Sequence, residues 1–387
     1  MSLLEERAAL GTPARKWKCT SAFIHCQRRR PLCSTVNSEA RAATNHDAKQ
    51  SNPKPHHHRR HGAKHFSSAR SARTGADAMQ LPRIDFSGVD PSAPGAGTWS
   101  AVRAQVMEAL TTVGCFDAQY PALAPEQRAA LFDGAVRPLF ALPVDAKRRN
   151  YYGADKPFHG YLGDIPGYES LAIVDGTKLE LVRDFAGLMW PDGGSNDGFC
   201  NAVHGAASRI FELEEAVRRM VMEGLGVAKY HDALRASTWH LFRMSEYQAP
   251  HAAEKTVRFG SHQDTNLLSI VCQHEVEGLE VQTRDGERVL VKPSPTSLVV
   301  MVGQALRAWT NDRLYAPFHR ITVGGDATRY SAMLFSVPNF QIQAPGELVD
   351  DEHPPRFKPH DNNDYIRFCV SEDGARHEDK LKAFCGV

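Results

Sequence analysis

The chain predicts an α+β fold in which helices come first and a β-rich sandwich or barrel follows, behind a tail that does not fold. Three observations predict it. The charge is split: 46 Lys+Arg nearly cancel 45 Asp+Glu over 387 residues, yet residues 1–78 hold 15 basic against 5 acidic side chains and residues 79–387 hold 31 against 40. Apolar residues then recur at helical spacing from about residue 99 to residue 224, and short β-branched and aromatic runs separated by turn residues take over after residue 230. At 42% hydrophobic residues the body is apolar enough to bury a sizeable core.

Residues 1–78 contain Arg28-Arg29-Arg30, Arg59-Arg60 and His56-His57-His58 among many Ser and Ala, with no apolar periodicity. Such a segment cannot bury enough surface to offset its ordering entropy and is expected to be disordered. It lacks the apolar run of a secretory signal. Its Arg and Ser content suits an organelle transit segment, although it opens with Glu5-Glu6. Because a strand-like run over 80–86 follows Met79 directly, an upstream translation or gene-model artefact is the competing reading of the tail. Aromatic residues to stack on bases are nearly absent there, so no nucleic-acid partner is expected.

The body divides at two places, into a helical region 79–230, a β-rich core 231–345 and a C-terminal helical segment 346–387. Periodicity predicts helices over 99–113, 125–142 and 199–224, with Phe211, Leu213, Val217, Met220 and Val221 near the buried stripe of the last. Residues 151–200 are aromatic- and Gly-rich without clear period and read as irregular structure over a pocket. Strands are expected over 238–247, 267–273, 278–283, 288–292, 297–302, 318–323 and 329–338, with Asp285-Gly286 as a hairpin turn. A last helix is expected over 371–384.

Three of the eight cysteines (Cys19, Cys26, Cys33) lie in the tail, and the other five are scattered singly, which suits a reducing compartment. No run reaches the roughly 18 consecutive apolar residues of a membrane span. The expectation is a soluble cytoplasmic body with no membrane partner, or an organellar one if the tail is a transit peptide.

The chemistry-bearing residues lie in the β-rich part. His262-Gln263-Asp264 in extended backbone would present an imidazole and a carboxylate on one face. His319 opens another predicted strand and can supply a third ligand. Two neutral nitrogens and one anionic oxygen on one face of an octahedron leave the other face open, as non-haem Fe(II) oxygenases require. The spacing alone is weak, because His377-Glu378-Asp379 shares it in a charged stretch that reads as solvated helix. Arg329-Tyr330-Ser331 follows His319 by ten residues and offers a guanidinium fork and a hydroxyl to a carboxylate. Arg235-Ala236-Ser237 and Arg243-Met244-Ser245 share that spacing without a metal-ligand candidate shortly upstream.

From about residue 81 to 382 the chain resembles the plant-type iron(II)- and 2-oxoglutarate-dependent dioxygenases, of the isopenicillin N synthase-like fold. The matching stretches are LPRIDFSG from Leu81, GCF at 114–116, LPVDAKRRN at 142–150, GSHQD at 260–264, GLEVQTRDGE at 278–287, HR at 319–320 and RYS at 329–331. Phe158-His159-Gly160-Tyr161, Met189-Trp190-Pro191, Phe199-Cys200 and Glu347-Leu348-Val349-Asp350 point to the branch with the AOP glucosinolate side-chain dioxygenases and, more distantly, the auxin-oxidising dioxygenases.

The resemblance implies a double-stranded β-helix, or jelly roll, with flanking helices. It implies Fe(II) on His262, Asp264 and His319, and 2-oxoglutarate held by Arg329, Ser331 and Tyr247. O2 is then the other co-substrate and ascorbate the reductant. Two positions depart from the family pattern: Ser245 stands where Asn is usual, and Trp309-Thr310-Asn311-Asp312-Arg313 replaces a WSNGR-like stretch. The implied activity is oxidation, foremost hydroxylation, of a small plant metabolite or hormone with release of succinate and CO2. A same-fold oxidase that does not use 2-oxoglutarate, a zinc hydrolase and a non-catalytic binding module are the alternatives. The segment 151–190, with Phe158 and Tyr161, and the residues after Pro338 are expected to line the substrate pocket.

Overall fold

The structure is a computed structural model and describes residues 80–387 except 155, 157, 194 and 195. The tail and the readings attached to it lie outside the described residues. In chain order the strands are β1 (Arg83–Asp85), β2 (Cys115–Gln119), β3 (Leu162–Ile165), β4 (Tyr168–Val174), β5 (Thr238–Tyr247) and β6 (Ala252–His262). They continue with β7 (Leu268–Gln273), β8 (Leu279–Gln282), β9 (Arg288–Val291), β10 (Ser297–Val302), β11 (Phe318–Gly325) and β12 (Arg329–Pro338). One sheet of eight runs β1-β2-β10-β7-β12-β5-β4-β3, and a second of four runs β6-β11-β8-β9. The two form a jelly roll with helices packed outside it.

Strand alternation explains the layering. On β5, Phe242 and Met244 join a core shared with the helix Asp197–Gly224, while Tyr247 joins a second core inside the roll. β7 sends Leu268, Ile270 and Cys272 outward and Val271 inward, and β10 sends Leu298, Val300 and Val302 outward and Val299 and Met301 inward. Both faces of these strands are thus covered, so all six residues of each are buried and the sequence reads as unbroken apolar runs. The Asp197–Gly224 helix supplies the outer cover with Phe199, Val203, Ile210, Leu213, Val217 and Met220.

The expected hairpin is present. Gly286 has φ +86°, a conformation that favours glycine, and β8 pairs antiparallel with β9 around it. The stretch 125–142 is helical from Pro125 to Phe140, with a π-helical section Ala130–Val136.

Three expectations need correction. Residues 151–200 are not irregular throughout: they hold β3, β4 and the helix Leu179–Met189. β4 is an interior strand buried on both faces at residues 170–173, so it lacks the period-2 signal. β6 carries no expected strand because it is the polar, largely exposed edge of the smaller sheet, where charged side chains protect open backbone groups. The C-terminal stretch is a 3-10 turn Gly374–Arg376 and a separate helix Lys380–Cys385, preceded by the helix Asn362–Cys369. The break falls at Asp379, whose carboxylate accepts a hydrogen bond from the Lys382 amide and so starts a new helix.

Candidate metal and co-substrate site

β6 ends at His262 and β11 begins at Phe318, and the antiparallel register sets His262 opposite His319 with ring centroids 4.2 Å apart. A register shift just after His319 is the kind of irregularity that re-aims a side chain. Asp264 is not on the strand with His262, as the extended reading supposed. It lies two residues beyond the strand end, where its backbone carbonyl accepts from the Gln304 amide at 2.7 Å and its Oδ2 from the Ser269 hydroxyl at 2.5 Å. That grip turns Oδ1 to the histidines, 3.5 Å from His262 Nε2 and 3.7 Å from His319 Nε2.

Both imidazoles turn Nδ1 to a backbone carbonyl, His262 to Gly260 at 2.9 Å and His319 to Pro317 at 3.4 Å. Donation there puts the ring proton on Nδ1 and leaves the Nε2 lone pair facing Asp264. Burial, and then the nearness of His262, push the His319 pKa down to about 4 against the pull of Asp264, so its ring is neutral at pH 7. Burial works against the Asp264 charge, but His319, His262 and the Ser269 hydroxyl more than offset it and hold the carboxyl below the usual range. One ligand atom from each of the three residues falls within 4.8 Å of the others. Two neutral lone pairs and one carboxylate oxygen aimed at a common point fit a divalent cation, and the donor set suits iron.

The second half of the site is on the facing sheet. Arg329 and Ser331 project from β12 on one face, and the register sets Arg329 opposite Tyr247 and Ser331 opposite Ser245 on β5. The Arg329 side chain is fully buried. Its Nη2 donates to Gln273 Oε1 at 2.9 Å, its Nη1 lies 3.5 Å from Ser331 Oγ, and its guanidinium carbon sits 4.8 Å from the Tyr247 ring centre. Nε has no partner, and among the described residues no carboxylate pairs with the group. A buried guanidinium whose neighbours are all neutral is costly, and an anion in the cavity would supply the missing partner. Gly278 permits this placement, since a Cβ there would come within 2.6 Å of Thr322 O and 2.9 Å of Arg329 Cδ.

Both halves open on one cavity of about 740 Å³. Room of this order accommodates a co-substrate and a second small molecule. Phe158 lines it as expected, whereas Tyr161 does not and instead donates its hydroxyl to Glu169 Oε1 at 2.5 Å. The residues after Pro338 contribute Asn363, Ile366 and Val370. The decoy triplet does not lie in a solvated helix: His377 and Glu378 stand at the exposed rim of the cavity, and Asp379 pairs with Arg307. Ser245, found where the family has Asn, is fully buried with its hydroxyl 3.4 Å from that of Tyr168. Sequence reasoning missed Gln273 and Gly278, whose roles come from which strand lies across from them, and Ser269, which reaches back five residues to Asp264.

Residues 238–338 match the 2OG-Fe(II) oxygenase superfamily. Over 313 residues the chain is 42% identical to a probable 2-oxoglutarate-dependent dioxygenase, AOP1.2, of Arabidopsis thaliana, covering 79% of this chain and 96% of that protein. Among solved structures, the rice dioxygenase for auxin oxidation superposes with a TM-score of 0.66 at 31% identity, covering 79% of this chain and 100% of that one. The complex of dioxygenase for auxin oxidation 1 of Arabidopsis thaliana with 2-oxoglutarate superposes with a TM-score of 0.63 at 25% identity, covering 71% of this chain and 100% of that one.

Proposed function

The chain belongs to the 2OG-Fe(II) oxygenase superfamily, and from that premise we propose that His262, Asp264 and His319 ligate its iron and that Arg329, Ser331 and Tyr247 hold the distal carboxylate of 2-oxoglutarate. The substrate oxidised in the remaining space is a small plant metabolite or hormone, a reading supported by the auxin-oxidising relative. The observation that carries the assignment is a cation site and an anion site in a single cavity. Separate binding roles would not require them to share it.

Each residue has a defined task. The two backbone carbonyls hold the Nδ1 protons, so the Nε2 lone pairs stay available for metal. Ser269 holds Asp264 in position. Arg329 offers its fork to one end of a dicarboxylic co-substrate, and Ser331 adds a hydroxyl beside it. Iron held by His262, Asp264 and His319 would supply the oxidising chemistry, with O2 as oxidant and 2-oxoglutarate converted to succinate and CO2. The protein's part is orientation and exclusion of water by the apolar walls of the cavity.

The unpaired charge of Arg329 favours 2-oxoglutarate over the same-fold oxidase that does without it. Anaerobic loading with Fe(II), followed by a screen of plant metabolites for substrate-stimulated succinate release, tests the whole reading. Stimulation by some metabolite, lost in His262→Ala and Asp264→Ala together with bound iron, is the expected result. An iron-free Asp264→Ala protein with full 2-oxoglutarate-dependent oxidation would overturn it.

A further inference from the structure

A chain of side-chain contacts runs from the metal-ligand loop to the C-terminal rim of the cavity, and nothing in the proposed chemistry uses it. Gln263 stands between His262 and Asp264, and its Nε2 donates at 2.6 Å to the carbonyl of Ala316, three residues before His319. Its Oε1 accepts at 2.6 Å from Gln304 Nε2, while the Gln304 amide donates to the Asp264 carbonyl at 2.7 Å. Gln304 is fully buried and opens the helix Gln304–Trp309. Through Gln263 it is tied to both segments that carry the proposed metal ligands.

Arg307, three residues along the same helix, carries the connection outward. Its Nη1 lies 3.4 Å from Gln304 Oε1 and 3.1 Å from Asp379 Oδ1, its Nη2 donates to Asp379 Oδ2 at 3.0 Å, and its Nε donates to Asp312 Oδ1 at 2.6 Å. Asp312 is the residue that stands in place of the glycine of the WSNGR-like stretch. It keeps a φ of +65°, left-handed backbone that an L side chain rarely adopts, and its carboxylate fixes the Arg307 guanidinium. Asp379 starts the helix Lys380–Cys385, and the residues on either side of it, Glu378 and Lys380, line the cavity. We propose that Gln304 is a positioning residue for the metal ligands and that Arg307, set by Asp312, couples it to the C-terminal segment, so that seating Asp264 on a metal and ordering residues 374–387 favour one another. This rests on the reading of His262, Asp264 and His319 as the metal site. The coupling is reciprocal by linkage, so either end reports it.

The test reads metal binding and backbone protection, not turnover. Metal-free protein is titrated anaerobically with Co(II) and followed by absorbance, and amide hydrogen exchange is measured over residues 374–387 with and without the metal. In wild type, Co(II) should slow exchange there. Gln304→Met, which keeps the length of the side chain but offers no amide, should weaken Co(II) binding about tenfold and abolish that slowing. Asp379→Asn keeps the acceptor for the Lys382 amide, is not among the residues lining the cavity and is exposed enough to fold whatever Gln304→Met does. It should weaken Co(II) binding about fivefold. Combined with Gln304→Met it should add no further loss, since both break one path. Co(II) affinity of Asp379→Asn equal to wild type, losses that multiply in the double variant, or exchange at 374–387 indifferent to Co(II) in wild type would overturn the coupling. Those results, obtained with Co(II) bound, leave the metal site standing, whereas failure of wild type to bind Co(II) sinks the metal reading and the coupling with it.

Discussion

Replacing Ser269 with alanine should weaken metal binding without touching a metal ligand. Ser269 is fully buried, and its hydroxyl is 2.5 Å from Asp264 Oδ2 and 3.2 Å from Asn266 Oδ1. A hydroxyl has one proton to give, and the shorter, charge-assisted contact to Asp264 takes it. Without it, Oδ2 is left unpaired in a buried site and the carboxylate is free to rotate away from the common point defined by the two Nε2 atoms. A hydrogen bond to a charged group contributes about 1.5–3 kcal/mol, and loss of an outer partner of a metal ligand costs roughly 10–100-fold in affinity. The two figures agree, since each tenfold corresponds to about 1.4 kcal/mol. Anaerobic competition of the Ser269→Ala protein against a chelator for Fe(II), or a Co(II) absorbance titration, reads this directly and independently of turnover. Metal affinity equal to wild type, with the fold intact by circular dichroism, would refute the positioning role.

Three further outcomes follow from the same geometry. Arg329→Met should raise the 2-oxoglutarate dissociation constant on the order of 100-fold while leaving the ligand-free thermal midpoint equal to or above wild type, because it replaces an unpaired buried charge with an apolar chain; calorimetry checks both parts. Gly278→Ala should lower the thermal midpoint and weaken 2-oxoglutarate binding together, since the new Cβ meets Thr322 O at 2.6 Å and displaces Arg329. Asp379 takes two hydrogen bonds from Arg307, at 3.1 and 3.0 Å. Burial opposes its charge, but Arg307 outweighs that and holds its pKa below the ordinary value, so its stabilisation is complete above the unfolded pKa of about 3.9 and is lost as pH falls through the lower folded value. The carboxylate is partly exposed, so Asp379→Asn should cost no more than about 1 kcal/mol, seen at neutral pH as faster hydrogen exchange in residues 374–387.

Much of the candidate site is legible because its residues sit in pairs that local geometry can interpret. Arg329 and Ser331 are two apart on a strand, so the period of two alone puts them on one face, and the structure agrees. His262 and His319 needed the antiparallel register of β6 with β11, and β6 was invisible because its exposed edge position makes it polar. The Asp264 placement was inferred on a strand that ends two residues too early, yet the side chain arrives because Gln304 and Ser269 hold the loop. Supporting residues such as Gln273 and Gly278 are defined only by which strand lies across from them, and no single stretch of sequence encodes that.

The Arg-x-Ser triplets show the same limit from the other side. Arg329-Tyr330-Ser331 and Arg243-Met244-Ser245 are equivalent as patterns, and only distance from His319 separated them. In the folded chain β5 and β12 are antiparallel neighbours with Ser245 opposite Ser331, so the two triplets run in opposite directions from a shared centre and carry their arginines to opposite ends of one interior face. A body with nine more acidic than basic residues thus places two buried guanidinium groups, neither paired with a carboxylate among the described residues, on the wall of one cavity of about 740 Å³. On the proposed reading, one dianionic co-substrate satisfies Arg329, and the contacts of Arg243 to Ser170, Gly160 and Phe158 hold the other against the loop that covers the cavity.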